Sequence, residues 1–302
     1  MSSVAANELD LGPRQDGARF EAATLPFLTP ATVLMAVLFL GPIVYSLYLA
    51  FTNLQLAVPN AIHYKFTGLT NVHRLFQDTQ FTSSTKLTVI FLLGSAIVGQ
   101  TVLGMALAMM MRRALAPLRI LVGAVIVLAW VLPEVTAAFV WYAFAQPGGT
   151  LSSLLGHPDT NYLNTVPMLM ICIANAWRNV AFSMLMFSAA LRNLPTEVLE
   201  AAEMEGAGIV RRMFNVVLPM MRGTIATNLL LVTLGNLSTF TLIWVLTQGG
   251  PGSDTSILPV YMYLVSFSFS DLGYGSMIGL ALITLGAIFS VVYVYSLRAR
   301  LA

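Results

Sequence analysis

The stretch 196-TEVLEAAEMEGAGIVRRMFNVVLP-219 is a charge-bearing insert between two long apolar segments. Thr196 is a suitable N-cap, and the residues that follow it favour a helix. Gly206 and Gly208 are expected to break or bend that helix. A second short helix is predicted over 209–218, where apolar residues recur at helical spacing. The sequence therefore predicts a helix–glycine–helix segment inside a mostly apolar chain.

The composition of the rest of the chain indicates an integral membrane protein. Of the 302 residues, 57% are hydrophobic and only 9% are charged, whereas a soluble domain has about 25% charged residues. The single cysteine, Cys172, lies in an apolar run and is interpreted as a buried packing residue. The three histidines show no ligand spacing, so no metal site is predicted. We expect no nucleic-acid partner.

Six segments are long and apolar enough to cross a bilayer, which takes about 20 residues. The shorter segment 257–270 is expected to be a re-entrant or interfacial element. The predicted fold class is therefore an all-α integral membrane protein with six transmembrane helices. The predicted spans are 25–51, 86–111, 118–145, 166–190, 223–247 and 273–297.

The basic residues between these spans predict their direction. Eleven Lys and Arg residues fall on one side, and only three, Lys65, Arg74 and Lys86, fall on the other. The positive-inside rule then places both termini and the loop 196–219 in the cytoplasm. The sequence thus predicts a multi-pass protein of the inner or plasma membrane. The domain division is a cytoplasmic tail 1–24, a transmembrane domain 25–298 containing that loop, and a tail 299–302.

The loop sequence resembles the EAA loop of permeases of binding-protein-dependent ABC importers. The family usually has Asp before the first glycine of the motif, where this chain has Glu. In that family the short helix of the loop, called the coupling helix, sits in a groove of the ATP-hydrolysing subunit. The positions that carry the resemblance, or lie within it, are Glu200, Ala201, Ala202, Glu203, Glu205, Gly206, Ala207, Phe214, Leu218 and Pro219.

A second stretch, 246-LTQGGPGSDTSILPVYMYLVSFSFSDLGYGSMIG-279, is similar to the sugar-permease branch, the MalF/UgpA-like permeases. These often carry a T-x-G-G-P-x-x-x-T turn, then Y-x-Y and F-G-Y-x-x-A. Here Leu272 replaces the Phe, and Ser276 is the last small residue. The resemblance implies the type I ABC importer permease fold and transport of a sugar or sugar-like solute.

The resemblance also implies the partners: a second permease subunit, two ATPase subunits, an external substrate-binding protein and the surrounding membrane lipid. The only lysines are Lys65 and Lys86, and neither follows a Gly-rich loop, so no Walker motif is present. We therefore expect a non-catalytic subunit without a cofactor of its own, with ATP and Mg²⁺ on the partner ATPase. The outer loops 53–84, 146–165 and 248–272 are the surfaces expected to meet the binding protein.

Glu134 and Arg178 are the charged residues that lie clearly within predicted spans, at similar depths. Such charges are costly in a bilayer and usually face protein or a water-filled cavity. We hypothesise a buried Glu134–Arg178 pair or a shared polar cavity. A purely structural tie between spans 3 and 4 is the competing interpretation.

Neutral hydrogen-bonding groups beside aromatic rings suit a sugar, which has hydroxyls at its edges and C–H groups on its faces. Packing or interfacial anchoring is the alternative role for each tryptophan. The candidate pathway residues are Glu134, Trp141, Asn175, Trp177, Arg178, Asn236, Thr239 and Trp244.

Two other classes of function remain open from the residues alone. A secondary transporter would use an ion gradient instead of an ATPase, although the chain shows no internal repeat of the kind common in such transporters. A membrane scaffold would move no solute. The solute itself is left open among trehalose, maltose-type sugars, amino sugars and glycerol-3-phosphate or its diesters.

Overall fold

The structure is a computed structural model that describes residues 29–57 and 60–298, and these are mostly helical. The predicted tails 1–24 and 299–302 lie outside the described residues. The chain divides into two units, one ending at Tyr48 and one beginning at Leu49. The described helices are α1 Thr29–Leu49, α2 Thr70–Gln77, α3 Thr79–Arg113, α4 Ala116–Val131, α5 Glu134–Ala145, α6 Thr150–Leu154, α7 Tyr162–Thr165, α8 Pro167–Arg192, α9 Thr196–Met204, α10 Ile209–Met220, α11 Arg222–Leu237, α12 Thr241–Thr247, α13 Leu258–Ser268 and α14 Leu272–Arg298.

Four of these helices, α1, α3, α8 and α14, are long and apolar enough to cross a membrane. Two further crossings are counted if each strongly bent helix pair is one span: α4 with the helical stretch Glu134–Leu154, bent by 107°, and α10 with α11, bent by 72°. The described chain therefore has four to six crossing helices and no named strand. The all-α membrane fold class is confirmed. Helix α13 is too short to cross, as its sequence predicted.

Two predicted spans are interrupted and do not form the continuous helices expected from their sequences. Span 118–145 breaks at Leu132–Pro133, because proline has no N–H to donate and disfavours helical geometry in the residue before it. Span 223–247 breaks at 238–240, between α11 and α12. At that break the hydroxyl of Ser238 donates to the carbonyl of Gly235, an alternative to helix continuation.

Helix α8 is the centre of the second unit and packs against α3, α4 and α11. Glycines let α3 approach α8 closely. A Cβ on Gly104 would lie 2.6 Å from the Cβ of Ser183, and one on Gly99 would collide with Ala176. The contact between the two helices therefore depends on the missing side chains, as is common between membrane helices.

A cluster rich in methionine joins the loop 196–219 to this bundle. Val217 of α10 and Met221, just after it, are buried against Met105 of α3 and Met184 of α8. Met109, Met111 and Met213 pack partly buried around them. We name these six residues the methionine cluster: Met105, Met109, Met111, Met184, Met213 and Met221.

The predicted T-x-G-G-P-x-x-x-T turn between α12 and α13 is closed by its own two threonines. The hydroxyls of Thr247 and Thr255 lie 2.7 Å apart, and Thr255 also donates to the carbonyl of Gly250. Gly249 has a φ of +89°, a left-handed backbone that favours glycine. The motif therefore builds a compact turn that fixes where α13 begins.

Asp78 caps α3 and holds two other helices to it. One carboxylate oxygen accepts from the backbone N–H groups of Gln80 and Phe81, and the other accepts from the hydroxyls of Tyr261 and Tyr274, each at 2.6 Å. Burial raises the pKa of Asp78, but these hydrogen bonds outweigh it and hold the pKa below its ordinary value. The stabilisation is complete above the ordinary pKa of about 3.9 and is lost as the pH falls below it.

Asp78→Ala is expected to lower the free energy of unfolding by about 2–4 kcal/mol, since it removes a helix cap and two charge-assisted hydrogen bonds. Thermal unfolding in detergent measures the effect. Asp254→Ala is the matched control, because Asp254 is exposed and its side chain has no bonding partner among residues 29–57 and 60–298. Equal unfolding midpoints for the two variants would contradict the assigned role.

Candidate functional site

The first helix of the loop 196–219 ends at a left-handed glycine. The N–H of Gly206 donates to the carbonyl of Glu203, and the N–H of Ala207 donates to that of Ala202, both at 3.0 Å. With a φ of +77° at Gly206, this is the Schellman motif that ends many helices. Gly208 has a φ of −61° and is the N-cap of α10. The predicted helix–glycine–helix segment is confirmed, and Gly206 is the residue that makes the break.

The loop exposes large apolar side chains beside its charged ones. The exposed fractions are 90% for Met204, 71% for Val210 and 64% for Phe214. Glu203 forms an ion pair with Arg212 at 2.8 Å, which links α9 to α10. A cavity of about 680 Å³ lies between these two helices and the end of α3. The loop is thus a defined surface with apolar groups open to contact.

The ten predicted loop residues fall on both helices and on the turn between them. Glu200, Ala201, Ala202 and Glu203 belong to α9, whose C-cap is Glu205. The remaining members follow the cap: the turn residues Gly206 and Ala207, then the α10 residues Phe214, Leu218 and Pro219.

The two interrupted spans meet at Glu134. This residue opens α5, directly after the break at Pro133, and its carboxylate accepts from the backbone N–H of Leu242 at 3.1 Å. Leu242 lies in the first turn of α12, directly after the second break. One carboxylate therefore lies at the N-terminal ends of two helices, where the positive helix dipole stabilises an acid.

Arg178 of α8 contacts the first break from the other side. Its Nε donates to the carbonyl of Leu132 at 3.4 Å. Leu132 has an extended ψ of 134° and belongs to neither helix, so the break leaves its carbonyl available. Its Nη1 donates to Asn179 at 3.2 Å. The charged residues predicted within the spans are thus each bonded to backbone that a helix break has exposed.

A buried cluster of amides joins α3, α8 and α11. The side-chain oxygen of Asn236 accepts from Ser95, from Gln100 and from the amide of Asn175, and its amide donates to Val232 of its own helix. The oxygen of Asn175 accepts from Asn179 at 2.9 Å. We name these five polar residues the amide cluster: Ser95, Gln100, Asn175, Asn179 and Asn236. It connects three helices by hydrogen bonds that a bilayer interior would not supply.

A cavity of about 280 Å³ opens beside the amide cluster and between the two helix breaks. Five of the predicted pathway residues line it: Glu134, Asn175, Arg178, Asn236 and Thr239. Glu134 and Arg178 are half-buried, and the two asparagines are buried. The hypothesis of a shared polar cavity is therefore supported.

The alternative of a buried Glu134–Arg178 pair is wrong. The ion pairs within 4 Å in the described part of the chain are Arg74–Asp271 and Arg212–Glu203. Glu134 and Arg178 instead bond different backbone groups, on α12 and at the end of α4. Both remain partly accessible from the cavity.

The three predicted pathway tryptophans lie away from this cavity. Trp141 and Trp177 contact each other, with ring centroids 6.0 Å apart, and line a separate apolar space. Trp244 stacks on Phe240 at 5.6 Å and meets Tyr263 edge-on at 4.7 Å. A separation of two residues on a helix turns Trp177 about 200° away from Asn175, so the two cannot share one face.

Two members of the amide cluster, Gln100 and Ser95, were not predicted from the sequence. Both lie on the part of α3 from Leu92 to Val102, which is π-helical, and such widened turns often occur at functional sites. An isolated glutamine in an apolar run was the available signal, since a buried amide requires partners. The widened helix itself leaves no clear mark in the sequence.

Exchanging the two charges, by Glu134→Arg with Arg178→Glu, is expected to restore no more uptake than either single change. Each group bonds a different backbone atom, so a swap places the wrong charge at both positions. Solute uptake by membrane vesicles, normalised to protein amount, measures this. Recovery of most wild-type uptake in the double variant would mean that the charges pair in another state.

Known proteins resemble the chain over nearly its whole length. It is 29% identical over 301 residues to the sulfoquinovosyl glycerol transport system permease protein SmoG of Agrobacterium fabrum, covering 97% of this chain and 93% of the relative. It is 31% identical over 271 residues to the sn-glycerol-3-phosphate transport system permease protein UgpA of Yersinia pestis, covering 87% and 89%.

The fold has a counterpart among solved structures. The crystal structure of a bacterial alginate ABC transporter, in complex with an alginate pentasaccharide-bound periplasmic protein, contains a chain that superposes with a TM-score of 0.74. The two chains are 19% identical, with 91% of this chain and 93% of that chain covered. This likeness confirms the type I importer permease fold predicted from the loop and turn motifs.

Residues 100–300 match the model of the family described as "Binding-protein-dependent transport system inner membrane component". The matched region contains the loop 196–219 and most of the amide cluster, and it spans more than half of the chain. With its relatives and its fold, the chain belongs to the family of inner membrane components of binding-protein-dependent transport systems.

Proposed function

We propose that this chain is the permease subunit of an ATP-driven ABC importer for a sugar or sugar-like solute, in which it forms half of the translocation pathway. The observation that carries the proposal is the loop 196–219: a fixed two-helix surface, open to contact, in a chain of this family. The chain contributes no catalytic residue, and ATP and Mg²⁺ bind to the partner ATPase. A second permease, two ATPase subunits and an external binding protein complete the assembly.

The loop supplies the contact with the ATPase. Met204, Val210 and Phe214 are large apolar groups at the surface of a segment that also carries five acidic and basic residues in α9 and α10. Such exposed apolar groups mark interaction sites on proteins. The Glu203–Arg212 pair and the Schellman turn hold the two helices as one body. A displacement of the loop would then reach α3 and α8 through the methionine cluster.

The polar cavity supplies the pathway. Its amides offer both donors and acceptors, and Glu134 and Arg178 add a charge of each sign. Interrupted helices near the middle of the bilayer form binding sites in many transporters, since the broken backbone groups face a cavity. The named relatives transport sulfoquinovosyl glycerol and glycerol-3-phosphate, which are both hydroxylated solutes. The external binding protein sets the choice among such solutes.

The orientation follows from the basic residues. Arg112, Arg119, Arg192 and Arg222 lie at the ends of α3, α4, α8 and α11 that adjoin the loop. The positive-inside rule places these ends, the loop and both termini in the cytoplasm. The binding protein then docks on the opposite side.

Uptake of a labelled solute by vesicles containing the purified assembly tests the proposal. Uptake should require ATP on the side of the membrane that carries the ATPase subunits and the binding protein on the opposite side. Uptake that ignores ATP and follows a proton gradient would identify a secondary transporter instead. Absence of uptake for every sugar that the binding protein retains would leave only a scaffold.

A further inference from the structure

Helices α3, α4 and α8, together with Trp141 of α5, line an apolar groove of about 860 Å³ that the proposed transport function does not use. Large side chains line it without being covered: the exposed fractions are 61% for Val98, 57% for Val125 and 53% for Leu169. The groove extends along α3 from Ile90 to Leu107. We name this space the apolar groove.

The same three helices form a second, basic pocket at one end of the groove. This pocket has a volume of about 180 Å³ and contains Arg112 of α3, Arg119 of α4 and Arg192 of α8, together with Ser188. We name it the arginine pocket. Leu107 lies in the groove wall and Arg112 in the pocket, five residues or about 7.5 Å apart along α3.

The three arginines have no acidic partner in the part of the chain that the structure describes. The ion pairs there use Arg74 and Arg212, and none of the side chains lining the arginine pocket is acidic. Arg112 and Arg192 also lie in the last turns of their helices, where the negative end of the dipole favours cations. The pocket is therefore a concentrated positive charge beside apolar surface.

We propose that the arginine pocket and the apolar groove together bind one anionic phospholipid, with the phosphate at the arginines and an acyl chain along α3. Guanidinium groups bind phosphate through paired, charge-assisted hydrogen bonds. Basic pockets between membrane helices are typical sites for anionic head groups. Half of a hydrocarbon core about 30 Å thick corresponds to some ten helical residues. An acyl chain whose phosphate is bound at Arg112 therefore reaches to about Leu103, within the groove.

The charge and the shape together favour a lipid over other occupants. A soluble anion would need the arginines but not the apolar groove, and a helix of a partner subunit would need the groove but not three unpaired cations. An anionic phospholipid uses both. Arg112 also borders the cavity beneath the loop 196–219, so the lipid would lie directly beside the segment that contacts the ATPase.

Photo-crosslinking of the assembled complex in nanodiscs tests this site. Phosphatidylglycerol with a photoreactive acyl chain is compared with phosphatidylcholine carrying the same chain, and mass spectrometry locates the labelled peptides. Phosphatidylglycerol should label residues 98–126 preferentially. Arg119→Gln with Arg192→Gln should reduce that labelling by about tenfold. Arg112 is left unchanged, because it also lines the cavity under the loop.

Arg222→Gln is the matched control. Arg222 lies at the same end of the bundle, at the start of α11, but outside the arginine pocket. Its labelling should equal that of the wild type. Equal labelling by both lipids, or undiminished labelling in the double variant, would overturn the proposal. So would complete displacement by soluble glycerol phosphate, which would identify a free-anion site, or cross-linking of the groove to the second permease.

Discussion

Replacing Gly206 by proline is expected to lower ATP-driven uptake more than tenfold while the complex still assembles in the membrane. Proline fixes φ near −65°, whereas Gly206 has +77°, and proline cannot donate to the carbonyl of Glu203. A misplaced proline costs about 3 kcal/mol, which exceeds the 1.4 kcal/mol of a tenfold change. The Schellman turn would be lost, and α10 would leave its place against α9.

A graded series separates backbone geometry from simple loss of glycine. Gly206→Ala keeps the N–H donor but places a Cβ in a left-handed residue, at a cost of about 1–2 kcal/mol, so we expect a smaller loss of uptake. Gly208→Ala is the control, because Gly208 has a φ of −61° and open space for a Cβ. Uptake and ATP hydrolysis are measured together. Full coupling in Gly206→Pro would refute the role of the loop as the contact with the ATPase.

The second large effect is expected for Asn236→Ala. This change removes one acceptor shared by three donors on α3 and α8 and leaves buried polar groups short of partners, each at about 1–3 kcal/mol. One bond is retained, since Ser95 already accepts from Asn175. We therefore expect a net loss of about 2–4 kcal/mol in unfolding free energy, and uptake close to background.

Thr227→Val on the same helix is the control for Asn236→Ala. The hydroxyl of Thr227 is exposed and bonds only the carbonyl of Gly223 within its own helix. Its unfolding midpoint should stay near that of the wild type. If Asn236→Ala keeps full uptake per folded complex, the amide cluster is a structural tie and the pathway does not pass beside it.

The segments that could be predicted from the sequence are those set by local composition. The long apolar helices α3, α8 and α14 and the break at Gly206 follow from hydropathy and backbone preference alone. The break at Pro133 had a local signal as well, although membrane helices often tolerate a proline without ending. The second helix break, at 238–240 across the cavity, had a weaker signal in the sequence.

The rest of the site depends on contacts between distant residues. The N-terminus of α12 is held by Glu134, which is 108 residues away in the sequence. The oxygen of Asn236 collects donors from two other helices, a relation that no single-helix pattern contains. For Trp177 the sequence did hold a signal, because helical spacing already places it on the opposite face from Asn175.

The methionine cluster affects the sensitivity of the protein to oxidation as well as its movement. Methionine side chains are unbranched and flexible, so the contact between the loop and the bundle can repack at small cost when the loop moves. Oxidation converts the thioether of methionine to a sulfoxide, which is polar and packs poorly among apolar side chains. Oxidation of the partly buried members Met109, Met111 and Met213 would place polar groups in this apolar contact and would weaken the link between the loop and the bundle.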